Sequence, residues 1–184
     1  MYTLWIIFAI VVFAALWFVA AYNILVRLKA LVSEGWSGVE VQLKRRYDLI
    51  PNLVATVKGY STHEKDVFEK VTQMRAQTTS AHTMEERAAA EAGLTSTLKT
   101  LFAVAESYPE LKANQNFLSL QSELSTIETE INLARRYYNG AARNYNTAIA
   151  VFPRSIVASI TGFKAVEYFA LESKEEGQAP KVQF

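Results

Sequence analysis

The first 26 residues contain no Asp, Glu, Lys or Arg and are filled with Leu, Ile, Val, Phe, Ala and Trp. No other feature constrains the fold as strongly, because it specifies a membrane-spanning helix. As an α-helix, residues 4–26 rise roughly 34 Å, enough to cross a hydrocarbon core about 30 Å thick. Leu4, Trp5, Ile6, Ile7, Phe8, Val11, Val12, Phe13, Leu16, Trp17, Phe18 and Val19 are expected to meet the lipid bilayer. Trp5 and Tyr22 fall near the two ends, where interfacial aromatics are favoured. A cleavable signal peptide is the alternative, and Val19 with Ala21 supplies a small-residue site for it. The missing basic n-region and the length of the apolar run favour a retained single-pass anchor. Arg27, Lys29, Lys44, Arg45 and Arg46 follow the segment and no basic side chain precedes it. The rest of the chain is therefore expected on the cytoplasmic side.

Beyond this segment the chain is long enough for one soluble domain. Residues 1–26 are read as the transmembrane helix, 27–171 as a bundle domain and 172–184 as a flexible tail, where Lys174, Glu175, Glu176 and Gly177 disfavour packing. The 19 basic and 18 acidic residues leave a formal charge of +1. With no global field to draw in a polyanion, nucleic acid is not an expected partner. The absence of cysteine excludes a disulfide framework, a thiolate nucleophile and a cysteine metal site.

Apolar spacing is helical throughout, so the soluble part is expected to be all-α. Leu28, Val32, Trp36, Val39, Leu43, Tyr47 and Ile50 step by three or four, which predicts that the spanning helix runs on past the membrane, with Gly35 and Gly38 as its weak points. Pro51 lies inside this pattern, and a bend or a new helix N-capped by Asp48 is expected there. Ser61 with Glu64, and Thr83 with Glu86, have capping-box spacing. The second opens a helix carrying Leu94, Leu98, Leu101 and Ala105 that stops before Pro109.

The longest signal is Phe117, Leu120, Leu124, Ile127, Ile131, Ala134, Tyr138, Ala141, Tyr145 and Ala148, a heptad seam. A helix of this extent would be roughly 50 Å long. Short connections at residues 77–82 and 107–114 favour antiparallel neighbours, hence an antiparallel bundle of long helices. Leu118, Leu133, Tyr137 and Ile149 flank the seam and are expected to widen its packed face. Phe152 and Pro153 should end this helix and start a short one stopped by Gly162. Phe163, Val166, Tyr168 and Phe169 are expected to form an aromatic cluster over one end of the bundle.

Catalytic patterns are wanting. His63, beside Glu64, and His82 do not make an HExxH pair, and catalytic zinc normally takes three protein ligands. There is no GxSxG elbow, Walker loop or GxGxxG turn, and Glu128 with Glu130 read as a solvated helix face rather than an acid and base pair. Neither a metal nor another cofactor is expected, and no small-molecule substrate is identified. Two groups exceed the bland reading. Lys44, Arg45, Arg46 and Asp48 stand at the expected bend, either as a solvated face or as an ion-pair network reaching Arg135 and Arg136 through acidic partners. Arg136, Tyr137, Tyr138 and Asn139, with Tyr145 and Asn146, join aromatic bodies to amide tips suited to packed, hydrogen-bonded contact.

The block WSGVEVQLKRRYDLIPNLV at residues 36–54, followed by VKGY at 57–60, resembles the signature of the bacterial LemA family. ARRYYNGAARNYNTAIAVFP at residues 134–153 and IVASITGF at 156–163 are similar to that family's carboxy-terminal motif. The resemblance implies an amino-terminal membrane helix and a helical bundle, with no settled biochemical activity. It also implies a bacterial inner-membrane setting, and a membrane protease is a possible partner because such genes often neighbour one another. Contacts with a partner or another copy are expected at Trp36, Arg45, Arg46, Asp48, Asn52 and Lys58 in the first block, and at Arg135, Arg136, Tyr137, Tyr138, Asn139, Tyr145 and Asn146 in the second. The expected function is a non-enzymatic, self-associating scaffold or adaptor in envelope or stress physiology. A large ring or cage that organises membrane is the alternative, and an unrecognised hydrolase the third reading.

Overall fold

The computed structural model describes residues 1–61, 64–81 and 83–169. Among them the chain is all-α, with helices α1 (Tyr2–Lys58), α2 (Lys65–Ser80), α3 (Met84–Glu106), α4 (Pro109–Lys112), α5 (Gln115–Ala150) and α6 (Arg154–Thr161). His63, His82 and the expected tail at 172–184 lie outside the described residues. The helices form two compact units. A terminal unit comprises Met1–Gly38 and Ala134–Tyr168, and a central unit comprises Val39–Leu133 with Phe169.

The apolar opening and the stripe behind it are one helix. Within α1 the most apolar window is only 6% buried by the chain itself, and it is long and apolar enough to cross a membrane. From Ala21 onward one side of α1 is covered: Ala21, Leu25 and Val32 in the terminal unit, then Val39, Leu43, Ile50, Leu53 and Val57 in the central one. α1 runs unbroken through Gly35 and Gly38. A Cβ at Gly35 would stand 3.1 Å from the Tyr138 Cα, so the absent side chain is what lets α5 approach.

Pro51 does not divide α1 either, and Asp48, exposed within the helix, caps nothing. Lacking an N–H, Pro51 frees the Tyr47 carbonyl one turn back. Arg75 of α2 donates its Nε–H to that carbonyl at 2.9 Å, replacing the bond that the proline removes. The Ser61 and Glu64 capping box is not formed: α2 begins only at Lys65, Glu64 occupies its N-cap without a side-chain bond, and the Ser61 hydroxyl is buried. At α3 the box is complete, with Glu86 N–H donating to Thr83 Oγ1 and Thr83 N–H to Glu86 Oε2, each at 3.1 Å. Asn114 caps α5 through a 3.0 Å bond from Phe117 N–H and donates to the Tyr60 hydroxyl at 2.8 Å.

The central core joins Leu53, Phe68, Val71, Leu94, Leu101 and Phe117 with their apolar neighbours. On α5 the seam is buried at Phe117, Leu124, Ile127, Ile131, Tyr138, Tyr145 and Ala148. Arg135 and Ala142 are its buried members where Ala134 and Ala141 were expected, and these two are only half-buried. Ile149 packs into the terminal unit. Leu118, Leu133 and Tyr137 do not widen the packed face; they are about half exposed, at 47%, 53% and 50%. α6 stops at Gly162, which adopts φ +75° while Phe163 N–H returns to the Ala158 carbonyl at 3.0 Å. Nor do the aromatics at residues 163–169 form a single cluster. Phe163 packs in the terminal unit, Tyr168 is half exposed, and Phe169 is buried and belongs to the central unit.

Candidate functional site

In the central unit, α1 turns Arg46 inward in phase with Leu43 and Ile50. The side chain is fully buried and pairs through Nη2 with Glu91 of α3, itself fully buried. Nη1 lies 2.7 Å from Glu128 of α5 and donates to Thr95 Oγ1 at 3.1 Å. The Tyr47 hydroxyl donates to Glu91 Oε1. One cation thus joins three helices, and low dielectric makes its bonds strong only while every partner is present. Arg45 is exposed and bonded to Gln42 at 3.0 Å, and Lys44, Asp48, Asn52 and Lys58 are exposed. The Lys58 ammonium stands 5.4 Å from the centre of the Phe68 ring. Of the charged residues singled out near Pro51, only Arg46 joins the buried network.

In the terminal unit, three side chains of α5 bind down residues 163–168, which have no regular secondary structure. The Tyr138 hydroxyl donates to the Glu167 carbonyl at 2.7 Å and the Tyr145 hydroxyl to the Lys164 carbonyl at 3.0 Å. Asn146 holds Val166 at both backbone groups, each bond 2.9 Å long. Trp36 of α1 meets Tyr138 edge-on, with ring centres 5.5 Å apart. Arg135 is buried and Asn139 half-buried, whereas Arg136 is exposed. Chemically, the arrangement satisfies the backbone of a strap that has no secondary structure of its own.

Burial raises the pKa of Tyr138, helped by the negative charge of Glu167, and burial alone raises that of Tyr145. A raised folded-state pKa stabilises the fold fully below the ordinary tyrosine value of 10.0 and is lost as pH climbs through the folded value. The strap should therefore loosen only above about pH 10. Tyrosinate absorbance and proteolysis after Lys164 should rise together there, and Tyr138→Phe should remove part of the coupling.

The open spaces bring few reactive groups together. A groove of about 490 Å³ at α2 and α3 holds Glu86, already engaged by the Thr83 amide. Another of about 280 Å³ at Pro51 is lined by the cations Lys58 and Arg75 with no carboxylate. Among the described residues no three His, Cys, Asp or Glu side chains gather to hold a metal ion.

Sequence reasoning missed Glu91, Thr95, Arg75 and Asn114. For Glu91 a signal existed, because it lies in phase with Leu94, Leu98, Leu101 and Ala105 and a carboxylate at a core position implies a buried cation.

The chain is similar to known proteins over most of its length. It is 27% identical over 185 residues to magnetosome protein MamQ 2 of Paramagnetospirillum magneticum, covering 86% of this chain and 67% of that protein. Magnetosome protein MamQ of Magnetospirillum gryphiswaldense matches at 26% over the same shares. Protein LemA of Metamycoplasma hominis is 27% identical over 143 residues, 77% of this chain and 65% of its own length. The LemA family model matches residues 35–184, which takes in both the Arg46 cluster and the strap, and the chain belongs to the LemA family.

Proposed function

We propose that this chain is a membrane-anchored, non-enzymatic scaffold or adaptor that self-associates in a bacterial cytoplasmic membrane, with its bundle on the cytoplasmic side. The observation that carries the reading is the continuity of α1: one helix supplies both an apolar stretch suited to lipid and a wall of the bundle. A chain built this way fixes a helical surface at a membrane, which is what an adaptor requires. Relatives named MamQ and LemA at similar identity support a family-level role rather than one substrate.

Self-association has its own support on α5. Leu118, Ser122, Ser125, Thr129 and Leu133 form an exposed face without a formal charge. The Thr126 and Thr129 hydroxyls donate to the Ser122 and Ser125 carbonyls at 3.0 and 3.1 Å, so these polar groups are satisfied within the helix itself. Such a face packs against another helix at low desolvation cost. Light scattering on the full chain in mild detergent should give a particle larger than a monomer, and Leu118→Glu with Leu133→Glu should reduce it to one without loss of helicity. A discrete high-order particle would favour a ring or cage that organises membrane; a monomer in both cases would end the self-association reading. Because the chain has no cysteine, Ser37→Cys tests the orientation. It should resist an impermeant maleimide in intact cells and react after permeabilisation.

A further inference from the structure

α6 carries an uncovered apolar face. Its Val157 and Ala158 are buried against Ala21 and Leu25 of α1, with Trp17 and Phe18 packed on the same cluster. All four α1 residues belong to the charge-free opening of the chain. Beside that contact, Phe152, Ile156 and Ile160 are 76%, 49% and 69% exposed. Ile156 and Ile160 are one turn apart and share a side of the helix, with Ser155 and Ser159 on another.

Position and charge indicate what covers this face. If α1 spans the bilayer, a helix packed on residues 17–25 lies at the depth of the spanning segment's last turns. Trp17 and Tyr22 there are the residue types that gather where headgroups meet hydrocarbon. Phe163, just past α6, packs on Tyr22 with ring centres 5.7 Å apart and takes the Lys29 ammonium 5.8 Å from its own centre. A groove of about 490 Å³ beside Phe152 is lined by Arg143 and Arg154. Apolar side chains flanked by cations at this depth match a lipid surface.

We infer that α6 is an interfacial helix: Phe152, Ile156 and Ile160 enter the acyl region of the same leaflet that α1 exits, and Arg143 and Arg154 contact lipid phosphates. The inference rests on α1 being a membrane anchor. It makes the chain's hold on the membrane two-pointed, one helix crossing and one lying flat.

The test uses the full chain in phosphatidylcholine vesicles containing phosphatidylglycerol, with single nitroxide labels at Phe13→Cys, Ser37→Cys, Ser159→Cys or Ile160→Cys. Collision with oxygen relative to a water-soluble nickel chelate should be several-fold higher at positions 13 and 160 than at 37, with 159 shallower than 160. A deep label at 13 with an aqueous one at 160, or equal depths at 159 and 160, overturns the inference and leaves the anchor intact. An aqueous label at 13 overturns the anchor, and the inference with it. Arg143→Glu with Arg154→Glu should shift the label at 160 towards water; no shift overturns the phosphate contact.

Discussion

Arg46→Met should destabilise the central unit by about 3–5 kcal/mol, because it strands a buried carboxylate. Glu91 is fully covered and faces the Arg46 guanidinium, so without the arginine it must stay charged in low dielectric or take up a proton. Glu128, 33% exposed at the side chain, can turn to water and suffers less. The double replacement Arg46→Met with Glu91→Leu should regain most of the loss, since apolar groups of similar volume substitute well for a buried ion pair. Hydrogen exchange of the α3 amides measures both effects. If the single replacement costs no more than about 1 kcal/mol, the value of an exposed pair, the cluster does not hold the three helices together.

Arg75→Met should cost about 1.5–3 kcal/mol, the range for a hydrogen bond from a charged group. The cause is particular: Pro51 cannot bond the Tyr47 carbonyl, and Arg75 does so in its place at 2.9 Å. Pro51→Ala supplies an amide one turn along and should itself raise stability, since proline costs about 3 kcal/mol relative to alanine inside a helix. In that background Arg75→Met should cost less than about 1 kcal/mol, the net worth of a neutral hydrogen bond. A double-mutant cycle measured by urea denaturation reads the coupling directly. Additive effects would mean that the arginine does not compensate the proline.

The residues made legible whatever repeats locally. The apolar opening, the α1 stripe, the α5 seam, the Thr83 box and the Gly162 stop each depend on neighbours within a few positions. The Arg46 cluster depends on groups 49 and 82 residues away, at Thr95 and Glu128, and charge near a proline reads as a solvated face. Phase with the stripe was the better guide: Arg46, Glu91 and Arg135 occupy core positions of α1, α3 and α5 and are buried. The rule failed in the other direction at Leu118, Leu133 and Tyr137, whose apolarity suggested packing. Their angular position on α5 places them outside the face its own chain covers. At Pro51 the new helix that local reasoning allowed does not form, and the donor that takes the freed carbonyl comes from another helix.

The terminal unit is assembled from the first and last described parts of the chain, while Val39–Leu133 lies between them. A ribosome therefore makes Ala21, Leu25, Val32 and Gly35 long before it makes the α5 residues and strap that complete this unit. At about 5–20 residues per second the wait lasts several seconds, during which Val39–Leu133, the contiguous bulk of the central unit, can fold. The nascent α1 thus spends that interval with its future contact surface bare. Ribosomes stalled once Leu133 has cleared the exit tunnel should hold chains whose central unit resists protease while residues 27–36, beyond the spanning segment, remain open to chaperones.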